Sequence, residues 1–308
     1  MINRKLFLVA IIFTAIFIAV FFLSSRVPQR DTQNERIHIV TSFYPLSHIA
    51  KSIGGNIVDV RNLVPAGVEP HDFEPSSRDL VEIGNADALF YNGASLESWI
   101  KKWNVGISVK PKYVVNMEES LKKQGAILFV KDGITDPHFW LDPVIMKNEV
   151  IVIRDLLIQI DSAHKDLFTE NARRYTTALD LLDEHFRAGL SSCDFNDIIV
   201  LHEAFNYLAS QYNIKVTSIE GISPDEEPSP KELARIINLV REKGVRHIFF
   251  ETVASPKFSE LIAREVGGAT LVLNPIESLT PDEVQSGEDY FSIMEMNLNN
   301  LQIAMQCH

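Results

Sequence analysis

The sequence predicts an α/β protein: two lobes with mostly parallel four-stranded sheets, joined by one long rigid connector helix. Three observations carry this. Short apolar runs alternate with helical stretches over residues 37–115 and again over 198–306, and such a βαβα rhythm marks parallel sheets covered by helices. Between the two runs, apolar residues keep helical spacing from Val150 to Phe186. A helix over about 165–189 would reach roughly 35 Å, which suits a connector between two bodies better than a crossover inside one. The expected divisions are an N-terminal segment over 1–26, a tether over 27–36, a first lobe over 37–163, the connector over 164–190 and a second lobe over 191–308.

The elements follow from local pattern. Residues 37–43 alternate as a strand, and 45–53 form a helix stopped by Gly54 and Gly55. A second strand covers 57–64. Residues 65–76 hold three prolines and a glycine and must be a loop. Ser76 or Ser77 caps the next helix, with Leu80, Val81 and Ile83 as its apolar stripe. A strand at 88–91, a helix through Trp99 and Trp103 and a strand at 113–115 complete the first alternation. Residues 117–133 read as a connection without special composition. In Asp136-Pro137-His138-Phe139-Trp140-Leu141-Asp142-Pro143, a proline after each aspartate disfavours helix at the aspartate and stiffens the bend that follows. Two helices come next, the second carrying Leu167, Tyr175, Leu179, Leu182 and Phe186. Strands are expected at 198–201, 215–219, 248–250 and 270–273. Helices lie between and after them: one with Phe205, Tyr207 and Leu208, one from Pro230 to Lys243, one over 255–266 and one over 289–306. Residues 221–228 form a proline- and acid-rich loop.

Composition narrows the class. A net charge of −12 without a basic stripe gives no footprint for nucleic acid. Arg4 and Lys5 precede an apolar run over 6–23, long enough as a helix to match a bilayer core. The basic flank places the N-terminus in the cytoplasm and the body outside. Leu23-Ser24-Ser25 is a poor cleavage site, which favours an uncleaved membrane anchor over a cleaved signal. No cysteine precedes Cys193, so attachment through a lipidated N-terminal cysteine is not expected. In the oxidising space outside the membrane, Cys193 and Cys307 are expected to pair. Closing so long a loop contributes about 4–5 kcal/mol in the chain-entropy account.

Three histidines, His71, His138 and His202, stand at strand ends or in the loops beyond them, and Glu277 does the same after the last strand. Ligands of open α/β sheets gather beyond the carboxyl ends of strands. Two donors fall in each half, so they can meet only in a cleft between lobes. Three imidazoles and one carboxylate form a four-ligand set suited to Zn(II). Glu251 also follows a strand and competes as a ligand or as a hydrogen-bond partner of a histidine. Asp72, Glu74, Asp136 and Asp142 are candidates to orient imidazoles from behind. His48, His164 and His185 lie on presumed exposed helix faces, His38 and His247 flank strands, and His308 ends the chain.

Four motifs, taken in order, resemble a known family. They are Val68-Glu69-Pro70-His71-Asp72-Phe73-Glu74-Pro75, the 136–143 segment above, Leu201-His202-Glu203-Ala204-Phe205-Asn206-Tyr207-Leu208-Ala209, and Leu273-Asn274-Pro275-Ile276-Glu277. Over about 37–307 the chain resembles the zinc- and manganese-binding solute receptors of bacterial ABC importers, the group of ZnuA, AdcA and the laminin-binding lipoproteins. The resemblance implies a metal held between two lobes, and an ABC transporter permease in the membrane as partner. A carboxylate stands at the third ligand position in manganese-selective members, where this sequence has His202. The set His71, His138, His202 and Glu277 therefore resembles the zinc branch, with Mn(II) the less favoured cargo. Many members have aspartate where Asn274 stands, which leaves Glu277 and Glu251 both open as the fourth ligand. The histidine-rich loop of many zinc receptors is missing, since 117–133 holds no histidine.

The expected function is that of an extracytoplasmic binding protein, acting as a monomer, rather than an enzyme. A catalytic zinc keeps a position open for water, and four protein donors would close it. The alternatives are a Mn(II) receptor of the same type, a metallohydrolase, and an adhesin.

Overall fold

The computed structural model describes residues 36–106, 110–131, 133–219, 230–244, 247–253 and 257–308. Its framework is a pair of four-stranded sheets, and the first grows from an alternating strand. In β1 (Ile37–Thr41) Ile39 and Val40 are fully buried, one on each face, because helices cover both. The crossover helix α1 (Tyr44–Gly54) buries Leu46, Ile49, Ala50 and Ile53 along one stripe, and Gly55 stops it at a φ of 55°. The chain returns as β2 (Val58–Asn62), then α2 (Ser77–Asn85), β3 (Ala88–Tyr91), α3 (Ile100–Gly106) and β4 (Tyr113–Asn116). The sheet order is β2-β1-β3-β4, parallel throughout. Ser76 caps α2 in a reciprocal capping box with Asp79.

The second sheet repeats the plan with β7 (Asp197–Val200), β8 (Lys215–Ser218), β9 (His247–Phe250) and β10 (Ala269–Val272). Its order, β8-β7-β9-β10, is the order of the first sheet over again, and it too is parallel. The helices of this part are α7 (Asn206–Gln211), α8 (Pro230–Lys243), α9 (Lys257–Val266), α10 (Pro281–Ser286) and α11 (Tyr290–Met305).

Between the sheets run α5 (Pro143–Ile160) and the 25-residue α6 (Lys165–Gly189). Helix α6 buries Phe168, Ala172, Tyr175, Leu179, Leu182 and Phe186 as one stripe. It packs on α1 and α5 from the first part and on α11 from the second. One continuous apolar core reaches from Ile39 and Phe90 through Leu182 and Phe186 to Ile198 and Phe249. Satellite clusters lie on the outer side of each sheet, around Trp99 and Trp103 and around Ile236 and Ile262. Just beyond α6 and α11, Cys193 and Cys307 form the disulfide, 114 residues apart in sequence.

Several expectations need correction. Residues 117–133 are not a plain connection: Asn116 caps α4 (Met117–Lys123), and β5 (Val130–Lys131) pairs antiparallel with β6 (Ile134–Thr135). Val81 and Leu167 are 63% and 41% exposed, so neither belongs to the core stripe of its helix, and Phe168 fills the place given to Leu167. Helix α10, opened by a Thr280–Glu283 capping box, was not foreseen. The 6–23 segment, most of the tether and the 221–228 loop lie outside the described residues. Among the described residues no helix is long and apolar enough to cross a membrane.

Candidate metal centre

Two of the four donors sit on the same local device. Glu69-Pro70-His71 forms a 3-10 turn in which the Glu69 carboxylate accepts the His71 backbone N–H at 3.2 Å. In Asp136-Pro137-His138 the Asp136 carboxylate accepts the His138 backbone N–H at 3.0 Å. Proline fixes φ in the middle of each turn, and the acid closes it, so the following imidazole leaves in a set direction. Asp136 does more: its Oδ1 also accepts from His138 Nδ1 at 2.8 Å, which turns Nε2 into the cleft. Burial raises the Asp136 pKa, but its bonds to the His138 imidazole outweigh this and hold it below the usual range.

The other two donors hang on strand ends. His202 follows β7, and its Nδ1 is hydrogen-bonded to the Glu251 carboxylate. Glu251 follows β9, the sheet neighbour of β7, so the topology brings the two together. Glu277 comes after β10 on a turn in which Ile276 takes a φ of 59°. That conformation costs a β-branched residue about 1–3 kcal/mol and needs support. Asn274 supplies it: Oδ1 accepts from the Ile276 N–H at 2.8 Å, while its own backbone is gripped on both sides by Asn297 of α11. Asn274 is thus committed to its turn.

The four side chains converge. His138 Nε2 lies 3.4 Å from His71 Nε2, 3.3 Å from His202 Nε2 and 3.0 Å from Glu277 Oε1. Glu277 Oε1 is 3.5 Å from His71 Nε2 and 3.7 Å from His202 Nε2. All four donor atoms fall within 4.8 Å of one another. Ligands of a tetrahedral Zn(II), each about 2.0–2.1 Å from the ion, stand about 3.3 Å apart, and the five distances above, from 3.0 to 3.7 Å, lie near that spacing. His138, His202 and Glu277 are buried, whereas the His71 side chain keeps 8% of its surface exposed at the rim.

Charge is arranged for a cation. Burial alone would depress the imidazole pKa of His138 and His202; bonds to Asp136 and Glu277, and the charge of Glu251 on His202, raise both instead. Burial would raise Glu277, yet its bonds to the three histidines hold it well below the carboxylate range. Glu69 goes the other way. Burial, then the charge of the neighbouring Glu277, pushes it up to about 10. An acid two residues before a histidine, as at Asp136, is the sequence signal that marks Glu69 as part of the site.

Glu251 is placed behind His202 and lies outside the converging group. One of the remaining candidates is corrected. Asp142 is the N-cap of α5, accepting from Val144 N at 2.8 Å and Ile145 N at 3.4 Å, because Asp-Pro before an apolar helix is a cap and first-turn pair. Asp72 is solvent-exposed at the end of its turn. His48 was expected on an exposed face; instead its side chain is 17% exposed, with Nδ1 bonded to the Tyr175 hydroxyl at 2.8 Å. His164 and His185 pair with Asp161 and Glu295 near the surface.

The ligand-bearing loops are also fastened across the cleft. Gly67 N donates to Leu279 O at 2.8 Å and Ser278 Oγ to Pro65 O at 3.1 Å. Trp140 Nε1 donates to Pro275 O at 2.8 Å, and Tyr290 hydroxyl to Trp140 O at 2.8 Å.

The chain is 33% identical over 288 residues to the high-affinity zinc uptake system protein ZnuA of Bacillus subtilis (strain 168), covering 90% of each chain. It is 35% identical to the zinc-binding protein AdcA of Streptococcus pyogenes serotype M3, but spans only 59% of that longer protein. Among solved structures, the Zn(II)-bound ZnuA-like domain of Streptococcus pneumoniae AdcA superposes with a TM-score of 0.76 at 36% identity, over 88% of this chain and 99% of that one. The laminin-binding protein Lmb of Streptococcus agalactiae, described as bifunctional with adhesin and metal-transporting activity, gives 0.77 at 32% identity, over 88% and 100%. The sequence profile of the periplasmic zinc-uptake complex component A, ZnuA, matches residues 39–304. The chain belongs to this ZnuA family.

Proposed function

We propose that the chain captures Zn(II) between its two sheets and passes it to the permease of an ABC importer. The ligands in this reading are His71, His138, His202 and Glu277, with Asp136 and Glu251 as the acceptors that orient His138 and His202. The observation that carries it is the convergence of four donor atoms, from four separate loops, at the spacing of one tetrahedral ion. Three neutral imidazoles and one carboxylate leave a Zn(II) complex with one positive charge. Asp136 and Glu251, one layer out, offset it. Four protein donors leave no position for an activated water, so the chain acts as a binding protein and not as a hydrolase. His202 in place of a carboxylate favours Zn(II) over the harder Mn(II).

The wider assignment is part of the same proposal. Residues 37–163 and 191–308 act as two lobes on either side of the 164–190 connector, the ion being held between them. The protein works outside the cytoplasm as a monomer, tethered to the membrane by residues 6–23.

Titration of the purified metal-free chain with Zn(II) and with Mn(II), with bound metal counted by elemental analysis, tests the core of the proposal. One Zn(II) per chain, retained in the presence of excess Mn(II), is the expected result. Binding of several zinc ions at weak, equivalent sites would sink it, and so would metal-dependent hydrolysis of ester or amide substrates.

A further inference from the structure

The segment that carries His202 makes a second set of contacts across the cleft. Asn206 Nδ2 donates to Asp136 Oδ2 at 3.0 Å, and so pins the carboxylate oxygen that His138 does not use. The neighbouring Tyr207 hydroxyl donates to the Asp136 carbonyl at 2.9 Å and accepts from the Phe129 N–H at 3.0 Å. Its ring lies 4.8 Å from the ring of Phe129 and 6.3 Å from that of Phe139. Glu203 completes the set, with Oε1 accepting from Asn206 at 3.3 Å and Oε2 paired with Lys131 of the β5–β6 hairpin at 2.6 Å. Asp136 and Tyr207 are both buried. Three residues just after one donor therefore grip the loop that bears another, 64 positions earlier in the chain.

A carboxylate fixed through one oxygen can swing about its Cβ–Cγ bond, and the imidazole bonded to it swings too. Held through both oxygens and its own backbone carbonyl, it cannot. We propose that Asn206 and Tyr207 are positioning residues: they lock Asp136, and through it keep the His138 imidazole aimed with Nε2 toward the metal. The turn that presents His202 thereby also aims the ligand of the opposite half, so the two donors are set relative to each other before any ion arrives. This rests on His138 being a ligand.

The test uses the full chain with Asn206→Ala, Asn206→Asp and Tyr207→Phe, and with His138→Ala as control. Competition with a zinc chelator should show each of the first three weakening Zn(II) binding, by about tenfold for Asn206→Ala, the usual scale for an orienting partner. Asn206→Asp, nearly the same shape but an acceptor facing a carboxylate, should lose more than Asn206→Ala. A role in packing alone would make the aspartate the milder change. In the Co(II)-loaded proteins the d–d absorption band should shift and weaken. In the Zn(II)-loaded wild type the His138 Hδ1 proton should give a slowly exchanging NMR signal that broadens in the variants. Tyr207→Phe keeps the ring and guards against misfolding, checked by the melting curve of the metal-free form. Wild-type affinity and Co(II) spectrum in Asn206→Asp and Tyr207→Phe would overturn the inference, whatever their melting temperatures. If His138→Ala itself keeps wild-type affinity, the ligand assignment fails rather than the positioning argument alone.

Discussion

The two sheets share one strand order, yet they deliver their donors differently. In the second part His202 stands just past the end of β7, and Glu277 follows β10 on the turn that Asn274 supports. In the first part His71 lies well past β2, and His138 is reached from β4 only through α4 and the β5–β6 hairpin. Neither imidazole stands at the end of a strand of the first four-stranded sheet. The chain compensates with the acid–proline–histidine turn, used twice. A donor near a strand inherits rigidity from the hydrogen-bonded ladder, and a donor far from one needs a locally stiff backbone. The difference also shows in solvent access, since only His71 of the four keeps part of its side chain at the surface.

This contrast can be broken or sharpened. The largest effect is expected from His202→Ala and His138→Ala, each lowering Zn(II) affinity by more than about 100-fold, beyond the loss of a supporting residue. Chelator competition measures it. His71→Ala should cost less, and equal losses at all three would erase the distinction between rim and interior.

Proton competition comes next. In the metal-free site the pKa values of His138 and His202 lie above the ordinary 6.5, so these imidazoles hold protons that Zn(II) must displace. Affinity should fall as pH is lowered, with the decline beginning above pH 6.5, and titration in buffers of different ionisation enthalpy should show proton release. In the metal-free protein the sign reverses: the raised pKa values stabilise the fold below about 6.5, and this contribution is lost as pH climbs through them. Constant affinity between pH 8 and 5.5 would count against imidazole ligands.

Smaller effects separate the two means of support. Pro70→Ala and Pro137→Ala loosen the front turns, each at about 0.4–1 kcal/mol, which should appear as a few-fold loss of affinity. The smallest effect on metal binding should come from replacing Cys193 and Cys307 by serine. The bridge is remote from the donors, so affinity should hold within about twofold while stability to urea falls by about 2–5 kcal/mol. A large affinity loss there would mean that the bridge itself helps to place the donors of the second part.

Much of this was legible in the sequence because strands, glycine stops and prolines punctuate it densely. Strand ends could be read from alternation, and His202, Glu251 and Glu277 were all expected at or just beyond them. What stayed hidden was mostly a matter of length or of partner. Strands β5 and β6 hold two residues each, too few to show a period of two. The cap at Asp142 was misread because an aspartate before proline serves a helix N-terminus as readily as an imidazole. The choice between Glu277 and Glu251 depended on β7 lying beside β9, a pairing no local pattern encodes. The Asn274 turn depended on Asn297, on a helix later in the chain.

The bonds Gly67–Leu279 and Ser278–Pro65 lace the rims of the cleft shut above the donors. Of the four converging side chains His71 keeps the most exposed surface, so under the proposed function an outgoing ion would exchange with water there first. A docked membrane partner that pries the rims apart would act as a key, coupling discharge to arrival at the correct gate.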